Sequence, residues 1–172
     1  KLNFIYGEGT AFEQYALKDV SFTIKQGEFI GIIGHTGSGK STLIQHLNGL
    51  IKATSGDLLF KGENIYAPKY DMKLLRQKVG LVFQYPEHQL FEVDVLSDVI
   101  ILDEPTAGLD PKGRDELFEE IIELKKSRDM TIILVSHSME DVAKYVDRLL
   151  VMNNGELVLD GTPKEVFKQY KF

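Results

Sequence analysis

The chain has 172 residues, 43% of them hydrophobic and 27% charged, which suits one domain with a sizeable core. Its net charge of −6 excludes a global field that would draw nucleic acid or an anionic membrane surface. The absence of cysteine excludes disulfides and thiolate metal sites, and no apolar run reaches the roughly 20 residues that span a bilayer. The opening Lys1-Leu2-Asn3-Phe4-Ile5-Tyr6 lacks signal-peptide architecture, so a cytosolic setting is expected and any membrane role would pass through a partner.

Residues 3–6 read as a short strand carrying Tyr6. Tyr6 is either an aromatic platform for a purine or an edge-strand ring covering the sheet, and residue logic alone favours the second. Val20, Phe22 and Ile24 alternate with polar residues, predicting a half-buried strand over 19–24. The run Phe29-Ile30-Gly31-Ile32-Ile33 then leads into Gly34-His35-Thr36-Gly37-Ser38-Gly39-Lys40-Ser41-Thr42. This is strand, glycine-rich loop and helix, the setting of the phosphate-binding P-loop. The glycines let backbone N–H groups turn toward phosphate oxygens, and the following helix adds its positive end. Lys40 is placed to reach the β- and γ-phosphates, and Ser41 to ligate Mg²⁺.

The helix ends at Gly49, a strand is expected over 57–60, and Asp71 caps a short helix over 72–77. Lys69, Lys73, Arg76 and Lys78 read as a solvated helix face rather than a phosphate site. A strand over 79–83 ends in Gln84, which could ligate Mg²⁺ or orient water, although surface glutamines are common. Val99-Ile100-Ile101-Leu102-Asp103-Glu104 is a strand buried on both faces that ends in two acids. Beside a P-loop, Asp103 can hold Mg²⁺ through its waters and Glu104 can take a proton from an attacking water. Asp110-Pro111 opens a helix with Leu117, Phe118, Ile121, Ile122 and Leu124 as its buried stripe. The strand over 130–135 delivers His137 to its end, where it could touch a γ-phosphate or be an ordinary satisfied polar residue. Asn153-Asn154-Gly155 marks a hairpin, and Thr162-Pro163-Lys164-Glu165 a capping box.

Together these residues resemble the ATP-binding cassette (ABC) ATPases. Gly34–Ser41 is similar to their Walker A, Val99–Glu104 to Walker B, Gln84 to the Q-loop, Ala107-Gly108-Leu109-Asp110 to the D-loop, and His137 to the switch histidine. Tyr6 matches the A-loop aromatic that stacks on adenine, which reverses the reading above. More narrowly, Gln84-Tyr85-Pro86-Glu87-His88-Gln89-Leu90-Phe91-Glu92 resembles the segment after the Q-loop in energy-coupling factor (ECF) transporter ATPases.

The resemblance implies an α/β P-loop core, a mostly parallel sheet flanked by helices, with an N-terminal antiparallel β subdomain. It implies one nucleotide-binding domain over 1–172. ATP and Mg²⁺ would be bound, with the base on Tyr6 and the phosphates on Gly34, His35, Thr36, Gly37, Ser38, Gly39, Lys40, Ser41 and Thr42. Ser41, Gln84 and Asp103 would serve the metal, and Glu104, His137 and Gln84 the hydrolysis. The expected partners are a second ABC ATPase subunit, identical or homologous, a transmembrane coupling protein and a substrate-binding membrane protein. The subunit would sit peripherally on the cytoplasmic side of the cell membrane and drive uptake of a vitamin or metal-ion type nutrient. The pattern breaks in one place. Family members carry a helical subdomain and an LSGGQ signature between Q-loop and Walker B, and neither is present here. An omission with its junction within 96–101 is expected, since strand and helix text meet there without turn chemistry. A truncated, non-hydrolysing nucleotide-binding module is the alternative, and another ABC importer ATPase is a further one.

Overall fold

The computed structural model describes residues 1–83 and 97–169. Gln84, the segment 85–92 and Leu96 of the expected junction lie outside the described residues.

β1 (Leu2–Tyr6) and β2 (Gln14–Val20) form an antiparallel pair. The strand expected over 19–24 therefore starts and ends earlier. Phe22 and Ile24 still pack on the core but outside regular pairing. β3 (Phe29–Ile33) runs into the glycine-rich loop and α1 (Lys40–Leu47). β4 (Leu59–Phe60) and β5 (Glu63–Asn64) make a small antiparallel pair, shorter than the strand expected over 57–60. α2 (Met72–Lys78), β6 (Val79–Val82), β7 (Val99–Asp103), α3 (Pro111–Arg128), β8 (Thr131–Val135) and α4 (Met139–Tyr145) follow. β9 (Arg148–Asn153), β10 (Glu156–Gly161) and α5 (Pro163–Gln169) complete the order.

The central sheet has the order β10-β9-β3-β8-β7-β6, with β10 antiparallel and its neighbours parallel. Its strands are apolar on both sides because both faces are covered, and the period of two sorts the residues. Phe29, Ile33, Ile100, Leu102, Ile132, Leu134, Leu149 and Val151 face a layer with Leu117 and Phe118 of α3, Val142 of α4 and Val166 of α5. Ile30, Ile32, Ile101, Ile133, Val135, Leu150 and Met152 face Leu43 and Ile44 of α1, Leu75 of α2 and the β1–β2 pair. The fold is thus the expected mostly parallel sheet flanked by helices, with an antiparallel pair at its N-terminal side.

Helix starts follow local chemistry. Asp71 accepts from the N–H groups of Lys73 and Leu74, Asp110 from Gly113, and Ser138 from Asp141. Thr162 and Glu165 make the reciprocal bonds of a capping box. α1 differs. Its N-cap is Gly39 at φ 100°, with no side-chain cap. Its first N–H groups are therefore left without a side-chain acceptor at the mouth of a cleft.

Candidate functional site

Parallel strands deliver their C-terminal ends to one edge of the sheet, where open α/β sheets bind ligands. At that edge β3 ends in the glycine-rich loop, β7 in Asp103, and β8 next to His137. They line a cleft of about 780 Å³ together with Tyr6, Gln14, Tyr15, Ala16, Thr36, Gly37, Gly39, Lys40, Ser41, Thr42, Phe83, Glu104 and Val135.

The loop is built by close approach. A side chain at Gly34 would collide with the Met152 carbonyl and the Ser38 hydroxyl. One at Gly39 would lie 2.6 Å from the Ala16 carbonyl. Ser38 is fully buried, and its carbonyl accepts from Gly155 N–H at 3.0 Å, which ties the loop to the β9–β10 turn. His35 bonds Thr36 O at 2.7 Å and Asn153 Oδ1 at 2.9 Å. Its ring is occupied inside the loop fabric, so its place among the phosphate-contacting residues rests on its backbone.

Lys40 is held at the centre. Its ammonium donates to the carbonyls of Gly34 at 2.6 Å and His35 at 2.9 Å. Burial lowers its pKa from the usual lysine value, and the nearby Glu104 and Asp103 carboxylates pull it back up. Opposite, burial raises both acids. For Asp103 this is opposed by Lys40 and His137. For Glu104 it is opposed mainly by His137, while Asp103 adds to the rise. A lysine and two acids thus share one poorly solvated space.

Glu104 is strained into position. It has φ 50°, a left-handed backbone that a glutamate seldom adopts. Its N–H donates to Val135 O at 2.9 Å, which continues the β7–β8 ladder past the strand end. Its Oε2 accepts from His137 N–H at 3.3 Å, and its Oε1 lies 3.1 Å from His137 Nε2. The second contact has ion-pair distance but not hydrogen-bond alignment, so Oε1 is buried without a hydrogen-bond partner among the described residues. A buried carboxylate oxygen short of a donor suits a group that receives a proton from a bound molecule.

Tyr6 is half exposed at the cleft mouth, and its hydroxyl shares a 3.1 Å hydrogen bond with Thr42 Oγ1. It also packs edge-on against Phe4, as a ring covering the sheet would. Ser41 and Asp103 bring hard oxygen donors to the same cleft, the donor type that Mg²⁺ takes. Among the described residues no group of three or more His, Cys, Asp or Glu could hold a metal ion. Such a sparse donor set suits an ion that keeps waters and takes phosphate oxygens as further ligands.

All of the expected site residues that fall among those described meet at this cleft or in the loop that forms it. Gln84 is beyond them. Sequence reasoning missed Gln14, Tyr15 and Ala16, because β2 was placed too late in the chain. It also missed Phe83 and Val135, which carry no polar signal. Asp141 was missed too. Buried between Thr106 and Arg114, it links the loop after Glu104 to the helix after His137.

The comparisons agree with this geometry. The family model described as "ABC transporter" matches residues 17–95. A second, described as "AAA domain, putative AbiEii toxin, Type IV TA system", matches residues 89–141. The chain is 44% identical to the energy-coupling factor transporter ATP-binding protein EcfA2 of Clostridium perfringens, over 98% of this chain and 80% of that protein. It is 42% identical to the EcfA2 protein of Acetivibrio thermocellus, over 97% and 80%. These alignments run over 228 and 226 positions, so the relatives carry residues with no counterpart in a chain of 172. Among solved structures, cbiO1 of Clostridium perfringens, titled part of the ABC transporter complex cbiONQ, superposes with a TM-score of 0.84. It is 31% identical, and the match covers 98% of this chain and 88% of that one. The ATP-binding cassette MJ0796, in a dimeric structure bound to ADP and Pi, shares the fold at TM-score 0.79 and 20% identity, over 94% and 96% of the two chains. With this cleft at the sheet edge and relatives this similar over almost its whole length, the chain belongs to the ATP-binding cassette ATPases of the energy-coupling factor type.

Proposed function

We propose that the cleft binds MgATP and hydrolyses it as half of a head-to-tail pair of cassettes, driving uptake of a vitamin or metal-ion type nutrient. The observation that carries the reading is the meeting of Lys40, Asp103, Glu104 and His137 at one sheet edge below a glycine-rich helix start. In this reading Tyr6 meets the base. The loop N–H groups, Lys40 and Thr42 hold the phosphates. Ser41, Asp103 and Gln84 would hold Mg²⁺, which when bound would supply neutralisation of charge on the phosphate oxygens. Burial raises the proton affinity of Glu104, which suits it to take a proton from the attacking water. His137, beside that carboxylate, steadies the Glu104 side chain and meets the γ-phosphate. ATP would favour the closed pair and product release would reopen it.

The membrane partners would be a coupling protein and a solute-binding protein, with this subunit peripheral on the cytoplasmic side. No helix among the described residues is long and apolar enough to cross a membrane. The signature that completes the partner's site is missing between Gln84 and Asp103. The longer alignments support the reading that residues are omitted from this chain, and the junction proposed for them lies within 96–101. The alternative, a genuinely short nucleotide-binding module, is favoured only by that missing signature. The intact mass of the cellular protein separates the two. A value near 19.5 kDa supports the module, and one several kDa higher supports the transporter subunit.

The transport reading is tested by purifying the protein with its membrane partners and sealing the complex into vesicles. Solute accumulation that requires ATP on the subunit's side supports it. Accumulation indifferent to ATP refutes it.

A further inference from the structure

α1 and β1 are joined at the cleft mouth by a closed ring of contacts. The Tyr6 hydroxyl bonds Thr42 Oγ1 at 3.1 Å. One helical turn on, His46 Nδ1 meets the Thr42 carbonyl at 2.7 Å. The His46 imidazole stands edge-on to Phe4 with centroids 4.8 Å apart, and Phe4 stands edge-on to Tyr6 at the same 4.8 Å.

His46 is an expensive choice at this place. It is fully buried, and its Nε2 has no hydrogen-bond partner among the described residues. Burial disfavours the charged ring, and the carbonyl partner places the single proton of the neutral ring on Nδ1. Nε2 is then a bare acceptor in an apolar layer, which costs stability. A leucine would fill the position on α1 without that cost. What histidine adds is a directed bond to the Thr42 backbone and a flat edge for Phe4.

We infer that His46 is a positioning residue for nucleotide binding: it locks Phe4 and Thr42, which between them fix the ring plane and hydroxyl of Tyr6 at the mouth of the phosphate cleft. This deepens the proposed function and rests on its placement of the nucleotide base against Tyr6. The consequence is specific. Losing His46 frees Tyr6 and weakens contact with the base, while Thr42 stays within the backbone of α1 and the phosphate-holding loop, tied to Gly155 through the Ser38 carbonyl, keeps its shape.

The test uses the full chain and calorimetric titration with ATP and with inorganic tripolyphosphate, each with Mg²⁺. His46→Leu should weaken ATP binding about three- to tenfold, the scale of one aromatic contact, and leave tripolyphosphate within about twofold. His46→Phe, which keeps a ring edge for Phe4, should recover part of the loss. Phe4→Leu, which breaks the ring from the β1 side, should repeat the His46→Leu result even if that variant folds poorly. Equal weakening of both ligands would mean a merely structural role and overturns the inference, as does no change in either. Tyr6→Ala separates the two levels. If it leaves the ATP-to-tripolyphosphate ratio unchanged, the base platform itself falls. If it shifts the ratio and neither His46 nor Phe4 variants do, only the inference falls.

Discussion

At the scale of single residues the chemistry concentrates on Glu104. Its raised pKa means that the fold prefers the protonated carboxyl. Stability from this group is complete below its unfolded value near 4.5 and is lost as pH rises through the higher folded value. As pH rises this side chain therefore weighs increasingly against folding, and its left-handed backbone adds strain. Glu104→Gln should raise Tm at pH 7 by about 2–4 °C, the shift that about 1 kcal/mol brings in a chain of this size. The gain should shrink toward pH 4, and melts at the two pH values check it. The acid at the end of a buried strand was legible in the sequence. Its positive φ and its underpaired oxygen were not, because both arise from how β7 meets β8 in space. Tyr6 shows the opposite case. Residue logic alone pointed to a covering ring, the family resemblance reversed that, and its bond to Thr42, far along the chain, holds it at the cleft.

At the scale of elements, the loop and its neighbours hold each other by close contacts. Gly39→Ala would press a methyl against the Ala16 carbonyl at a φ of 100°. It should cost about 1–3 kcal/mol and weaken nucleotide binding with it, seen in denaturant midpoints and ATP titration. Asp141 joins three elements: its Oδ2 accepts from Thr106 at 3.3 Å, and its Oδ1 lies 3.6 Å from the Arg114 guanidinium. Asp141→Ala strands that guanidinium, whose Nε already lacks a hydrogen-bond partner among the described residues. About 2–3 kcal/mol should be lost, less than for a fully buried pair because Arg114 is 32% exposed. Urea unfolding measures it. At the far end, Thr162→Ala removes the capping box of α5 and should cost about 1 kcal/mol with the cleft unaffected. That box, the Asp71 and Asp110 caps and the apolar strands were all readable in sequence, since each depends on neighbours a few positions apart. β2 was not. Residues 21–24 alternate well, but the pairing partner of β1 lies earlier, and only tertiary register selects it.

At the scale of the whole molecule, strand order explains why residues far apart in sequence act together. β8 lies between β3 and β7, so the ends carrying Lys40, Asp103 and His137 share one edge. Sequence motifs named these residues, but adjacency came from the sheet. The central claim is that Glu104 drives hydrolysis of ATP held by this cleft. It is tested most directly by phosphate release from the assembled transporter carrying Glu104→Gln, with ATP affinity measured in parallel. The account predicts ATP binding at least as tight as before and phosphate release slowed about 100-fold or more. Unchanged release with unchanged binding would contradict it.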